Sequence, residues 1–68
     1  MALPEFPEDI HELTLLYVLT PISDGMRDLY HQELARRIAI YAPPEHRLAE
    51  RGKYLRRAQA TAKLVTGS

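Results

Sequence analysis

Two histidines stand where a carboxylate could reach them. His31 follows Asp28 by three residues and precedes Glu33 by two, and His11 follows Glu8 by three. On a helix a spacing of three places both side chains on one face, the least that an acid–base dyad requires. The same spacing is met far more often in surface ion pairs worth roughly 0.3–0.5 kcal/mol. No third group joins either pair. Cysteine is absent, the glycines at 25, 52 and 67 build no phosphate loop, and His11, His31 and His46 include no i, i+4 pair for a metal. The chain therefore reads as non-enzymatic, with no cofactor and no metal site.

The stronger chemical signal is positive charge. Arg47, Arg51, Lys53, Arg56, Arg57 and Lys63 crowd the last third against Glu45 and Glu50, whereas residues 1–24 hold Glu5, Glu8, Asp9, Glu12 and Asp24 with no Lys or Arg. An acidic start joined to a basic end allows self-complementation, within one chain or across a dimer, or steering toward an acidic partner. Phosphates would also attract such a stripe. Against that use stand zero net charge and a pI near 6.8. Arg47, Arg51, Lys53, Arg56 and Arg57 are the expected partner-binding set, with a protein preferred over nucleic acid.

Prolines cut the chain into three segments that must carry these groups. "FPEDIHEL" suits a helix opened by Pro7 with Glu8 and Asp9 in its first turn, giving helix 1 over about 7–19. "TPISDG" ends it, and either Thr20 or Ser23 caps helix 2, which runs to about Tyr41. Ile22, Met26, Leu29, Tyr30, Leu34, Ile38 and Tyr41 recur in steps of three and four, an amphipathic helical pattern. "APPEHR" breaks the chain again, and helix 3 is expected over 44–65. Its inward stripe reads Leu48, Arg51, Leu55, Ala58, Ala62 and Val65, a thin seam of small and charged residues.

The stretch "LTLLYVL" at 13–19 is apolar at six of seven positions, more than one helix face can hold. Read as a strand before two helices it would pair with its twin, a layout that resembles ribbon–helix–helix DNA-binding dimers. Neither Leu13, Leu15, Tyr17, Leu19 nor Thr14, Leu16, Val18 offers the Arg, Lys, Gln or Asn that reads bases, so the helix is preferred. A helix apolar nearly all round is normally buried on more than one side.

The expected fold is one small all-α domain over 1–68, with an extended lead over 1–6 and a frayed tail over 66–68. Helices 2 and 3 form an antiparallel hairpin and helix 1 packs across them. The lead "LPEFP" folds back over helix 1 or helix 2, and Tyr17, Tyr30, Tyr41 and Tyr54 line the rim of the core. A chain of 68 residues without disulfides has a small stability margin, and its 46% apolar content favours association. A homodimer is expected through Leu15, Leu16, Val18, Leu19, Met26 and Tyr30, together with a larger protein as partner. That describes a small regulator, inhibitor or adaptor, of a composition common among phage and mobile-element products. A small dimeric nucleic-acid-binding regulator using helix 3 is the alternative. No apolar run with a basic lead opens the chain, so a cytoplasmic setting is the expectation.

Overall fold

The structure, a computed structural model, describes residues 5–67. Among these residues are three α-helices and no strand: α1 spans Ile10–Leu19, α2 Gly25–Tyr41 and α3 Arg47–Thr66, with a single 3₁₀ turn at Pro44–His46 before α3. No helix among them is long and apolar enough to cross a membrane.

Aspartates, rather than the expected prolines and hydroxyls, start the first two helices. The Asp9 carboxylate accepts the His11 N–H at 3.0 Å, and the Asp24 carboxylate accepts the Met26 N–H at 3.0 Å. Each satisfies a donor that the first turn leaves without a partner. Helix 1 therefore begins three residues after Pro7, with Glu12 and not Glu8 in its first turn. Helix 2 is capped by neither Thr20 nor Ser23. Thr20 instead ends α1, its N–H and hydroxyl both donating to the Leu16 carbonyl. Pro44 opens a 3₁₀ turn that leads into α3, and Gly67 ends α3 in the left-handed region, φ 73°.

The short α1 lies between the two longer helices and packs most extensively on α3, next on α2; α2 and α3 touch each other least. Leu13, Leu34, Ile38 and Ala42 form the core, with Phe6, Ile10, Tyr30 and Tyr54 packed against it. Burying a Leu or Ile side chain contributes about 1.5–3 kcal/mol, so three such residues carry much of a small margin. Thr14 is also fully buried, and its hydroxyl donates to the Ile10 carbonyl at 2.7 Å. Ala58 and Ala62 are the buried residues of α3, the helix on which α1 packs most, and side chains this small permit close helix approach. Phe6 of the lead meets the Tyr30 ring edge-on, centroids 5.9 Å apart, so this part of the lead is stapled to α2; Leu3 and Pro4 lie outside the described residues.

The α1 stretch that seemed to demand an outside cover is thus largely covered from within. Leu13 and Thr14 are buried and Leu15, Leu16, Tyr17 and Val18 half-buried, leaving Leu19 as the exposed member. The apolar surplus lies elsewhere. The α3 stripe holds at Ala58 and Ala62 but fails at both ends, where Leu48 is 77% and Val65 64% exposed. The reason is length. At 1.5 Å per residue α3 is roughly 30 Å long and α1 roughly 15 Å, so α1 cannot cover both ends.

Candidate protein-docking surface

At the Pro43–Pro44 corner the chain turns from α2 into α3, and the two helices do not close on each other. Between them lies an open groove of about 310 Å³ lined by Ala35, Ile38, Pro44, Arg47, Leu48 and Arg51. Buried Ile38 forms its floor and exposed Leu48 one wall. Two guanidinium groups complete the lining, and no carboxylate does. Arg47 Nε donates to the Ala42 carbonyl at 3.0 Å, placing a positive charge on the negative end of α2. Arg51 is half-buried, and its Nε is shielded from water with no acceptor.

The five expected partner-binding cations do not share one stripe. Arg47 and Arg51 face this groove. Lys53 pairs with Glu50 at 3.3 Å and lies over the Tyr54 ring. Arg57 Nη1 comes within 3.5 Å of His11 Nε2, beside a cleft of about 330 Å³ that Asp9, Glu12 and Thr61 also line. Arg56 is exposed and borders a shallow depression with Val18, Lys63 and Leu64. The acidic start and basic end do meet in the Arg57 cleft, yet every ion pair among the described residues lies within a single helix.

Neither histidine forms the dyad its spacing allows. His11 Nδ1 is buried without a partner and its ring tilts against Tyr54, while His31 stacks on Tyr17. Among the described residues no three His, Asp or Glu side chains gather to hold a metal ion. The polar network nearest the groove is structural in form. Tyr41 Oη donates to Glu50 Oε2 at 2.8 Å and shares a 2.7 Å hydrogen bond with Tyr54 Oη. The Tyr41 hydroxyl, then Lys53, holds the Glu50 carboxyl below its ordinary value.

Of the residues expected at an apolar interface, Leu15, Leu16, Val18, Met26 and Tyr30 are half-buried among the helices of one chain and Leu19 is exposed. The sequence reading missed Ile40 and Leu64, both large, apolar and well exposed. Their signal was available: each falls off the three-and-four stripe of its helix. Comparison with known proteins finds no family model that matches, no curated protein that matches and no solved structure that matches.

Proposed function

We propose that this chain is a non-enzymatic interaction module, a small regulator, inhibitor or adaptor that takes an acidic, apolar segment of a larger protein into the groove between α2 and α3. The observation that carries the reading is the groove itself: an Ile38 floor and a Leu48 wall beside two arginines, with no acid across from them. Apolar walls supply burial, and the guanidinium groups select carboxylates and speed encounter. The small contact between α2 and α3 gives the segment room to enter. Its binding would draw the two helices toward the antiparallel hairpin that their sequences favour.

Self-association belongs to the same reading. Leu19 and Ile22, exposed around the α1–α2 turn, supply the apolar side of a homodimer contact that leaves the groove open. A cytoplasmic setting suits such a regulator. A nucleic-acid-binding dimer would want the cations of α3 on one continuous face, and they are dispersed.

The test is selection from a random displayed-peptide library against the folded chain. Recovered sequences should combine Asp or Glu with large apolar residues and should lose at least tenfold in affinity for Leu48→Glu. Leu48 is too exposed for that change to disturb folding. Undiminished binding to Leu48→Glu, or failure to recover any acidic binder, contradicts the proposal. Steep salt-dependent retention on heparin, lost in Arg56→Glu/Arg57→Glu, would favour nucleic acid instead.

A further inference from the structure

Two polar side chains line the groove between α2 and α3, and they differ in how they are held. Arg47 is fixed by its Nε bond to the Ala42 carbonyl. Arg51, one turn later on α3, is half-buried, and its Nε is shielded from water with no acceptor. It enters no ion pair among the described residues. A guanidinium N–H in that state has lost its hydration and gained nothing in exchange. Glu50, the residue before Arg51, is engaged by Tyr41 at 2.8 Å and Lys53 at 3.3 Å, so it does not neutralise the groove.

The size and lining of the groove limit what fills it. At about 310 Å³ it lies at the small end of ligand sites, which span roughly 300–1,000 Å³. Leu48 and Arg51 are three residues apart on α3, so the apolar wall and the guanidinium are neighbours on one helix face, about 5–6 Å apart at Cβ. A ligand that uses both must carry an apolar group and an anion close together. Apart from the arginines the lining is Ala35, Ile38, Pro44 and Leu48, whose side chains offer no hydrogen bond; Pro44 also lacks a backbone N–H. An internal segment has backbone amides on both sides of the docked residue, and this lining gives them no side-chain partner. The last residue of a chain has backbone on one side only, and its carboxylate sits on the same Cα as its side chain.

We infer that the groove takes the free C-terminal end of its partner protein. The α-carboxylate lies on Arg51, a large apolar last side chain lies between Ile38 and Leu48, and an Asp or Glu just upstream faces Arg47. This rests on the docking reading above and deepens it by naming the kind of segment. Turning the Arg51 guanidinium onto the ligand breaks no ion pair, and it presents Nε–H and Nη–H together as the fork that matches a carboxylate. Capture of a terminal carboxylate is a recurring mode of peptide recognition.

The experiment is NMR titration of the full chain at constant ionic strength, following the Ile38 and Leu48 methyl signals with three probes. N-acetyl-Glu-Ala-Leu has a free end. Its C-terminal amide lacks that charge, and N-acetyl-Glu-Asp-Leu-amide restores the charge on a side chain. The free acid should saturate with at least tenfold higher affinity than either amide. Arg51→Met should lower its affinity to that of the amides, and Arg56→Met should leave it unchanged. Should Arg51→Met lose helicity by circular dichroism, Arg51→Lys, which keeps the charge and lacks the fork, replaces it with the same expected loss of preference. Equal affinity for the free acid and the amide of equal charge overturns the inference, as does a preference that persists in the Arg51 variants. If that equal binding is still abolished by Leu48→Glu, the docking surface stands without it. Absence of saturable binding by any probe also overturns the inference, and the displayed-peptide selection then judges the docking surface by itself.

Discussion

Glu33 is the most heavily bonded acidic side chain in the chain's middle segment. Its carboxylate accepts from Arg36 Nε and Nη2 at 2.9 and 2.7 Å and from Arg37 Nε at 2.8 Å. Arg37 in turn donates to the Glu8 carbonyl at 3.2 Å, tying α2 to the segment before α1. The hydrogen bonds from Arg36, opposed by burial and reinforced by Arg37, pull the Glu33 carboxyl down to about 2. The unfolded value is about 4.3. A group depressed on folding stabilises the folded state above its unfolded pKa and loses that contribution as pH falls through the folded one. The thermal midpoint of the wild type should therefore decline from about pH 5 toward about pH 2, and Glu33→Gln should decline less steeply. Parallel declines in circular-dichroism melts would show that Glu33 contributes nothing. The Glu33–Arg37 pairing follows from helical spacing, so it was open to reading from sequence. The stacking of Arg27 and His31 on Tyr17 was not, because it joins residues of α1 and α2 across the turn between them.

At the scale of elements, the first residue of each helix decides a measurable quantity. Asp24→Ala removes the side-chain acceptor at the start of α2 and should cost about 1 kcal/mol, whereas Ser23→Ala should cost nothing measurable. Urea unfolding of the two variants compares them directly, and equal losses would refute the assignment of the cap. The existence of α2 and its end at Tyr41 were legible because apolar residues recur along it at helical spacing, although Ile22, the first of that stripe, lies before the helix and is exposed. Its start was not, because Thr20, Ser23 and Asp24 are all competent caps and only backbone geometry chooses among them. Pro7 misled for a related reason: Asp9, two residues on, offers a carboxylate that caps the helix there. The α3 seam could be read at Ala58 and Ala62 but not at Leu48 and Val65, since periodicity gives a face and says nothing of how far a neighbour reaches along it. The α1 stretch erred in the opposite direction. Its all-round apolar character is explained by a central position between two longer helices, which one segment cannot reveal by itself.

The whole molecule is more open than its length requires. Its radius of gyration is 12.3 Å, against roughly 11 Å for a compact chain of this size. The excess fits an α2–α3 contact smaller than either helix makes with α1 and the apolar residues left exposed on both. Whether that opening serves another protein is tested most directly by a site-placed photo-crosslinker. One probe replaces Leu48 on the groove wall; a second replaces Gln32, exposed on the outer side of α2. Irradiation in lysate of the native host should give a discrete protein adduct heavier than a dimer from position 48, and none from position 32. The position-48 adduct should disappear when an acidic peptide from the display selection is present in excess. No adduct at position 48, equal labelling from both positions, or an adduct that nuclease removes would contradict the docking account.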